Sequence, residues 1–304
     1  MVTKEDVVWC YNTFLVRQPE SDDVVSLWMS QCKDFKELVR GFSEAPEFQQ
    51  MAAIKSFARN DAIMYHKTKY GFLFPIHMND AAMYRTYVAT SYEEPETDFI
   101  RRNIGPGDHV VDIGVRHGWF ACHMAQIVGE EGRVFCYDPD PICSEHVGLC
   151  SSINEFSNIF YESCALGNSP GELMFDPSDA TLQTQGSSKF GLVRVPIKAL
   201  DDLMKDRIKK ISFIKIDVEG AEQMVFDGAS DILDRDKPTI LMEINDSLSR
   251  RVSQVPVIDT VRTLRNYGYS CTDLSNQPIS DTEIESAIDR NEIINVAFFG
   301  SSNH

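Results

Sequence analysis

The sequence predicts an α/β protein in which helices cover both faces of a mostly parallel sheet, with a small helical domain at the N-terminus. From about residue 109 onward, short apolar strands alternate with helical segments. These strands have no polar face, which is typical of parallel strands that are buried on both sides. Between residues 3 and 58, apolar residues recur instead at helical spacing. We therefore expect a helical accessory domain over residues 1–60 and a sheet domain over residues 61–304.

The N-terminal helices are predicted from their capping residues. Thr3 and Asp6 form a capping-box pattern ahead of the first helix. Pro19 ends that helix, Ser21 can cap a second, and a third begins near Asp34. The region contains no catalytic grouping of residues, so its simplest function is packing or docking.

The sheet domain is predicted from its apolar strands and the helices between them. A strand is expected near residues 70–76, before the main sheet. The strands of the main sheet are His109–Ile113, Val134–Asp138, Ile159–Glu162, Phe213–Asp217, Thr239–Ile244, Tyr269–Asp273 and Ile293–Phe299. Helices are expected at Glu94–Arg102, Trp119–Val128, Ala221–Leu233 and Asp281–Ala287.

The composition argues against several classes of partner and site. The formal net charge of −17 argues against a protein that follows phosphates with a basic stripe, so nucleic acid is not an expected partner, although the fold could still form a local basic patch. No run of eighteen apolar residues occurs and the N-terminus lacks a signal-peptide pattern, so we expect a cytoplasmic protein without a membrane span. The eight cysteines are scattered without a CxxC pair, which favours free core thiols over disulfides or zinc.

The first candidate site is a glycine turn after the strand that ends near residue 113. The strand runs into Asp112, and Gly114 and Gly118 follow before an amphipathic helix. Glycine at Gly114 would let the backbone turn sharply and approach a ligand. The helix N-terminus offers backbone N–H groups to a carboxylate. A simple strand–turn–helix connection is the alternative.

The second candidate site is the acid that ends the next strand. Asp138 follows Gly114 by twenty-four residues, and an acid there can accept both ribose hydroxyls of an adenosine. Asp140 follows a proline and is the better candidate for capping the next helix. The turn lacks the G-x-G-x-x-G pattern of nicotinamide enzymes, so an NAD(P)-dependent oxidoreductase is kept only as an alternative function.

The third candidate site is a charge cluster at the end of a central strand. Lys215 and Asp217 alternate and therefore point to one side of that strand. Glu243 ends the neighbouring strand at a similar depth. Such a cluster would lie in the ligand crevice of an open α/β sheet. A structural ion pair between Lys215 and Asp217 or Glu243 is the alternative, because a buried lysine needs a partner.

The segment from Lys215 to Glu222 reads K-x-D-x-E-G-x-E, and on this motif the chain resembles the FkbM family of S-adenosylmethionine-dependent methyltransferases. The likeness covers roughly residues 67–299. It implies a Rossmann-like seven-stranded methyltransferase sheet, mostly parallel with the last strand antiparallel. It also implies S-adenosyl-L-methionine as cofactor and O-methylation of a hydroxyl on a sugar, a glycan or a glycosylated metabolite.

The resemblance carries particular residues with it. Glu96 lies in the family's segment before the first strand, Asp138 lies where the family usually has F-E-P, and Ala165 begins an A-L-G segment. One departure is Arg116, in a turn where the family commonly reads G-A-N-x-G; it could bind the cofactor carboxylate or point to solvent. The implied cofactor contacts are Glu96, Asp112, Gly114, Arg116, Gly118, Asp138, Ala165 and Asp217.

Methyl transfer to a hydroxyl requires alignment of the reactants and a base for the hydroxyl proton. Asp217 is the first candidate for this base and Glu243 the second, with Lys215 as their charged neighbour. A divalent metal such as Mg²⁺ held by Asp217, Glu219 and Glu243 is a competing hypothesis; it is not the favoured one, and the spacing alone does not decide it. The polar loop Asp179–Lys189 is a candidate acceptor contact.

Two questions stay open at this level. A catalytically silent protein that still binds adenosylmethionine is an alternative to an active enzyme, because the Arg116 turn is unusual. The acceptor, a small molecule or a glycan, is not specified, and neither is the subunit count, for which a homodimer is one arrangement.

Overall fold

The computed structural model describes residues 2–11, 19–45, 63–77, 83, 92–177, 180–183, 192–205, 207–208 and 210–300. The chain divides into two compact units, Met1–Tyr92 and Glu93–His304. The domain boundary predicted near residue 60 lies outside the described residues. Within the described ranges, no helix is long and apolar enough to cross a membrane.

In the part of the first unit that the structure describes, there are three short helices and a hairpin. The helices are α1 (Lys4–Cys10), α2 (Asp22–Gln31) and α3 (Phe35–Glu44), and they enclose an apolar core that includes Val7, Leu38 and Phe42. The predicted capping residues are confirmed: Thr3 and Asp6 form a capping box, and Ser21 and Asp34 cap α2 and α3.

The hairpin of the first unit pairs strand β1 (Ile63–Lys67) with β2 (Leu73–His77). The sequence predicted a strand over residues 70–76, but the chain turns there first. Gly71 has φ +97°, and its N–H donates to the carbonyl of Thr68. The strand therefore begins only after this turn.

The second unit alternates strands with helices. Its helices are α4 (Glu94–Asn103), α5 (Trp119–Val128), α6 (Pro141–Asn154), α7 (Leu200–Met204), α8 (Glu222–Asp227), α9 (Ser230–Arg235), α10 (Asp246–Val252), α11 (Val257–Asn266) and α12 (Asp281–Asp289). Its strands are β3 (His109–Ile113), β4 (Arg133–Tyr137), β5 (Ile159–Glu162), β6 (Ala165–Leu166), β7 (Gly171–Asp176), β8 (Thr181–Gln183), β9 (Val193–Lys198), β10 (Phe213–Ile216), β11 (Thr239–Ile244), β12 (Tyr269–Thr272) and β13 (Ile294–Gly300).

The seven strands predicted for the main sheet form one sheet in the order β12-β13-β11-β10-β3-β4-β5. Strands β3, β4, β5, β10 and β11 run parallel, whereas β13 runs antiparallel to both of its neighbours. This arrangement confirms the Rossmann-like, mostly parallel sheet with an antiparallel last strand. The predicted ends of the seven strands differ from the observed ends by at most one residue.

Helices cover both faces of this sheet. One face carries the largest apolar core, in which Ile214, Met242 and Phe298 pack against side chains of α8, α9 and α11. On the other face α4 brings Phe99 within 6.3 Å of Phe213, measured between ring centroids. All eight cysteines are free and buried, including Cys136, which lies in β4 of this sheet.

A second sheet of four strands, in the order β6-β9-β7-β8, was not predicted. It encloses a separate core in which Phe175, Val195 and Ile197 pack against Ala221 and Val252. The strands of this sheet are short and interrupted, and Pro196 lies inside β9. Proline cannot donate to a strand ladder, so a segment that contains Pro196 is not typical of a strand interior.

Candidate functional site

The strand register of the main sheet places the predicted polar residues next to each other on neighbouring strands. Asp112 of β3 pairs with Lys215 of β10, and Lys215 pairs in turn with Leu241 of β11. Because side chains alternate along a strand, Gly114, Asp217 and Glu243 follow two positions later on the same face. The three predicted strand tips are therefore adjacent, at the carboxyl ends of β3, β10 and β11.

Gly114 lies at the closest contact between two of these tips. Its φ is +81°, and a Cβ atom placed on it would lie 1.8 Å from the carbonyl oxygen of Asp217. Its N–H donates to the carbonyl of Tyr137 on β4. The turn is thus fixed between β4 and β10, and only glycine fits at this position.

The helix after the turn begins at the residue that the sequence predicted. Gly118, with φ +81°, is the N-cap of α5, and among the described residues no side chain caps this helix. The N-terminal amides of a ten-residue helix are suited to an anion such as a carboxylate. Arg116 is exposed, in a left-handed conformation with φ +49°.

Asp112 is a fully buried acid next to the turn. Neither of its carboxylate oxygens has a hydrogen-bond donor of normal geometry among the described residues, although the Ala121 N–H is near enough to favour the charged form. Burial raises the pKa of Asp112 to about 7, against the opposing effect of the Lys215 ammonium. A buried acid without a donor is unusual and needs an explanation in the site.

Asp138 stabilises the glycine turn through backbone hydrogen bonds. It accepts 2.9 Å hydrogen bonds from the N–H groups of Arg116 and Asp140. Burial raises the pKa of Asp138, and these two donors oppose that effect. A carboxylate can accept about four hydrogen bonds, so Asp138 retains acceptor capacity for a ligand. Asp140 caps α6, as the sequence predicted.

Lys215 connects the glycine turn to the end of β10. Its ammonium lies 3.3 Å from the Gly114 carbonyl oxygen and 3.3 Å from the Asp217 carboxylate. It also lies 5.1 Å from the centre of the Phe120 ring, within range of a cation–π interaction. Burial lowers the pKa of Lys215, but Asp217, Asp112 and Glu93 together outweigh burial and raise it to about 12. Lys215 is therefore a buried, charged lysine paired with Asp217.

The turn after β10 is held by Glu222. Its carboxylate accepts hydrogen bonds from the N–H groups of Val218 and Gly220, at 3.4 and 3.2 Å. Gly220 has φ +99°, and a Cβ atom there would lie 2.4 Å from the Leu248 backbone. Burial raises the pKa of Glu222 to about 7. Glu222 and Gly220 thus explain two positions of the K-x-D-x-E-G-x-E motif as parts of a tight turn that presents Asp217 and Glu219.

Glu243 is a half-buried carboxylate near the end of β11. Burial, together with the negative charges of Asp217, Glu219 and Glu222, raises the pKa of Glu243 to about 7. Lys215 makes its ion pair with Asp217 and not with Glu243. The environment of Glu243 therefore favours uptake of a proton near neutral pH, as a general base requires.

Two predicted cofactor contacts belong to elements outside the glycine turn. Glu96, in the first turn of α4, accepts a 2.7 Å hydrogen bond from the side-chain amide of Asn295. Asn295 pairs with Glu243 across β11 and β13, so both side chains point to the same face. Ala165 is buried in β6, in the core of the second sheet.

Sequence reasoning did not identify Asn295. It lies inside an apolar strand, and its partner Glu96 is 199 residues away in the chain. The only sequence signal was a polar residue near the start of that strand. In the predicted acceptor loop, the structure describes residues 180–183, of which Thr181–Gln183 form β8. Gln185, Ser187 and Ser188 of that loop lie outside the described residues.

The chain is similar to known methyltransferases. Residues 112–271, more than half of the chain, match the family model described as the Methyltransferase FkbM domain. Methyltransferase sdnD of Sordaria araneosa is 23% identical over 177 residues, which cover 46% of this chain and 68% of that protein.

Solved methyltransferase structures give weaker likenesses. The methyltransferase FkbM from Methylobacillus flagellatus is 15% identical with a TM-score of 0.43, over 93% of this chain and 72% of that one. Aeropyrum pernix fibrillarin, crystallised with natively bound S-adenosyl-L-methionine, is 18% identical with a TM-score of 0.37, over 64% of this chain and 68% of that one. From the match over residues 112–271, the chain belongs to the FkbM family of methyltransferases.

Proposed function

We propose that the protein transfers a methyl group from S-adenosyl-L-methionine to a hydroxyl of a sugar, a glycan or a glycosylated metabolite. The observation that carries this proposal is the adjacency of the tips of β3, β10 and β11, with Asp112 and Gly114 beside Lys215, Asp217 and Glu243. Membership of a methyltransferase family rules out the oxidoreductase alternative. The sugar hydroxyl rests on the resemblance alone.

The residues around the glycine turn fit the methyl donor. The N-terminus of α5 suits the donor's carboxylate. Asp112, buried without a well-placed donor among the described residues, lies beside Lys215 in the strand register and directly precedes the glycine turn. Asp138 retains acceptor capacity for ribose hydroxyls at the tip of β4. The donor supplies an electrophilic methyl group on a positively charged sulfur.

Glu243 is our candidate for the general base, ahead of Asp217. The acceptor oxygen forms its bond to the methyl carbon, the carbon–sulfur bond breaks with its electron pair going to sulfur, and the hydroxyl proton passes to the Glu243 carboxylate. Asp217 is paired with the ammonium of Lys215, so we assign it to the charge cluster at the end of β10 and not to proton transfer. Among the described residues, no three His, Cys, Asp or Glu side chains are placed to hold a metal ion.

The first experiment measures binding of the donor. Calorimetric titration should show binding of adenosylmethionine and none of NAD(H). Release of adenosylhomocysteine with a panel of sugars and glycosides then tests turnover. Binding without release for any acceptor would favour the catalytically silent alternative, and binding of neither ligand would contradict the proposal.

The second experiment separates the two candidate bases. Glu243→Gln should lower turnover by about 10²–10⁴-fold while the donor Kd stays within several-fold. In the wild-type enzyme, turnover should rise with pH through about 7, because only the ionised Glu243 accepts a proton. Asp217→Asn is the comparison: it breaks the pair with Lys215 and should weaken donor binding as well. Full activity of Glu243→Gln would exclude Glu243 as the base.

A further inference from the structure

The side chain of Asn295 has no role in the proposed methyl transfer, yet it lies at the edge of the same site. It is half-buried near the start of β13, directly opposite Glu243 in the strand register. Directly opposed side chains on antiparallel strands lie about 5 Å apart at their Cβ atoms. Asn295 is thus a neighbour of the proposed base, but its side-chain amide donates to a different element, α4.

That hydrogen bond fixes Glu96. The Asn295 amide donates to one carboxylate oxygen of Glu96 at 2.7 Å. Hydrogen bonds to an ionised group are roughly twice as strong as neutral ones, and this length is at the short end of their range. The second oxygen of Glu96 is not used by this bond. Glu96 is half-buried, so its side chain is neither fully solvated nor enclosed in the core.

The start of α4 contains acids whose charge acts on residues near the ends of β10 and β11. Glu93, with φ +41°, immediately precedes the helix, and its charge contributes to the pKa values of both Lys215 and Glu243. Glu96 follows in the first turn. Lys215 is paired with Asp217, so it is not a counter-ion for Glu96. The methyl donor carries an α-ammonium group on its methionine part, and a fixed carboxylate is the natural complement to such a cation.

We propose that Asn295 is a positioning residue for the methyl donor: its side-chain amide holds the Glu96 carboxylate so that the second oxygen can accept from the donor's α-ammonium group. The inference rests on the proposed function, because it assumes that the donor binds at the tips of β3 and β10. Glu96 contacts the donor in this scheme, and Asn295 acts through Glu96.

Two ligands separate a positioning role from a structural one. Adenosylhomocysteine contains the α-ammonium group, and 5′-methylthioadenosine contains the same adenosine and sulfur without it. Calorimetric titration of the full chain with both ligands needs no knowledge of the acceptor. Asn295→Leu, similar in size but without hydrogen-bonding groups, should weaken adenosylhomocysteine about tenfold and leave 5′-methylthioadenosine within twofold.

Glu96→Gln provides the second variant and keeps an oxygen that can accept from Asn295. It should weaken adenosylhomocysteine at least as much as Asn295→Leu does, again without effect on 5′-methylthioadenosine. The double variant should bind no more weakly than the weaker of the two single variants, since both substitutions remove one contact. Asn103→Leu is the matched control: this asparagine donates to the Phe99 carbonyl at the other end of α4 and should leave the ratio of the two affinities unchanged.

The outcomes are distinguishable. If the wild-type chain binds neither ligand, the proposed function itself fails. If it binds both and Asn295→Leu weakens them equally, Asn295 is a structural residue and the inference is overturned. The inference is also overturned if Asn295→Leu changes neither affinity, or if the two substitutions weaken adenosylhomocysteine additively.

Discussion

Gly114 occupies a position where no residue larger than glycine fits. A methyl group at its Cα would lie 1.8 Å from the Asp217 carbonyl oxygen, a distance at which the backbone of β10 or of the turn must move. The same carbonyl belongs to the residue that pairs with Lys215. A change at Gly114 therefore disturbs the glycine turn and the charge cluster at once.

Gly107 offers a matched comparison for Gly114. Both glycines have φ near +80°, but a Cβ atom on Gly107 would have nothing within 4 Å. Gly107→Ala should cost about 1–2 kcal/mol, the strain of a left-handed alanine, and leave adenosylmethionine binding unchanged. Gly114→Ala should lose about 1–3 kcal/mol more from overpacking and should lose adenosylmethionine binding. Urea unfolding and calorimetry measure both quantities; equal losses of stability would show that the contact with Asp217 is unimportant.

Among the secondary-structure elements, the seven strands of the main sheet were predictable because each is a short apolar run between turn residues. The predicted helix Ala221–Leu233 was wrong in its middle, where the chain forms α8 and α9 with a break at Gly228. A Cβ atom on Gly228 would lie 2.0 Å from the Gly167 carbonyl oxygen, so a distant segment imposes the break. Periodicity within residues 221–233 contains no information about Gly167.

The second sheet escaped prediction for a related reason. In β9 the inward-facing Val195 and Ile197 alternate with exposed Arg194 and Pro196, but only the core shared with Ala221 reveals that the segment is a strand. The glycine turn, Asp138 and the cluster around Lys215 were predictable because each lies within one local motif. Their adjacency depends on strand order, and the alternation of strands and helices along the chain does not by itself determine that order.

Substitutions on the inner and outer faces of the second sheet should differ in their effect on the stability of the protein. Phe175 is 2% exposed and lies in the core that this sheet shares with Ala221, next to the turn that presents Asp217. Phe175→Ala should destabilise the protein by about 3–5 kcal/mol. Arg194→Ala removes only an exposed ion pair with Glu172 on the outer face and should change stability by less than about 1 kcal/mol. Thermal unfolding compares them, and similar effects would mean that this sheet does not add a core of its own.

At the scale of the whole molecule, the candidate site collects residues from six separated stretches of the chain. Glu96, Asp138 and Asn295 come from α4, from the end of β4 and from β13, and the remaining residues lie in or directly after β3, β10 and β11. The carboxylates of this set outnumber its cations, in keeping with a chain whose net charge is −17. A cationic donor is attracted by such a surface, whereas a polyanion is repelled.

The negative net charge of the molecule predicts that it binds nucleic acid only weakly. A protein that binds RNA non-specifically neutralises phosphates with Lys and Arg, and its affinity falls steeply with salt because counterions are released. With 46 acidic and 29 basic residues, this chain should bind tRNA more weakly than about 100 μM at 150 mM salt. Fluorescence anisotropy with labelled tRNA at 50 and 150 mM salt measures this. The exposed Lys205 and Lys210 lie in the most basic segment of the sequence. Because this segment is not expected to bind phosphates, the double substitution Lys205→Glu with Lys210→Glu should leave the affinity for tRNA unchanged. Tight, salt-sensitive binding that this double variant abolishes would reveal a local basic site and make RNA a candidate acceptor.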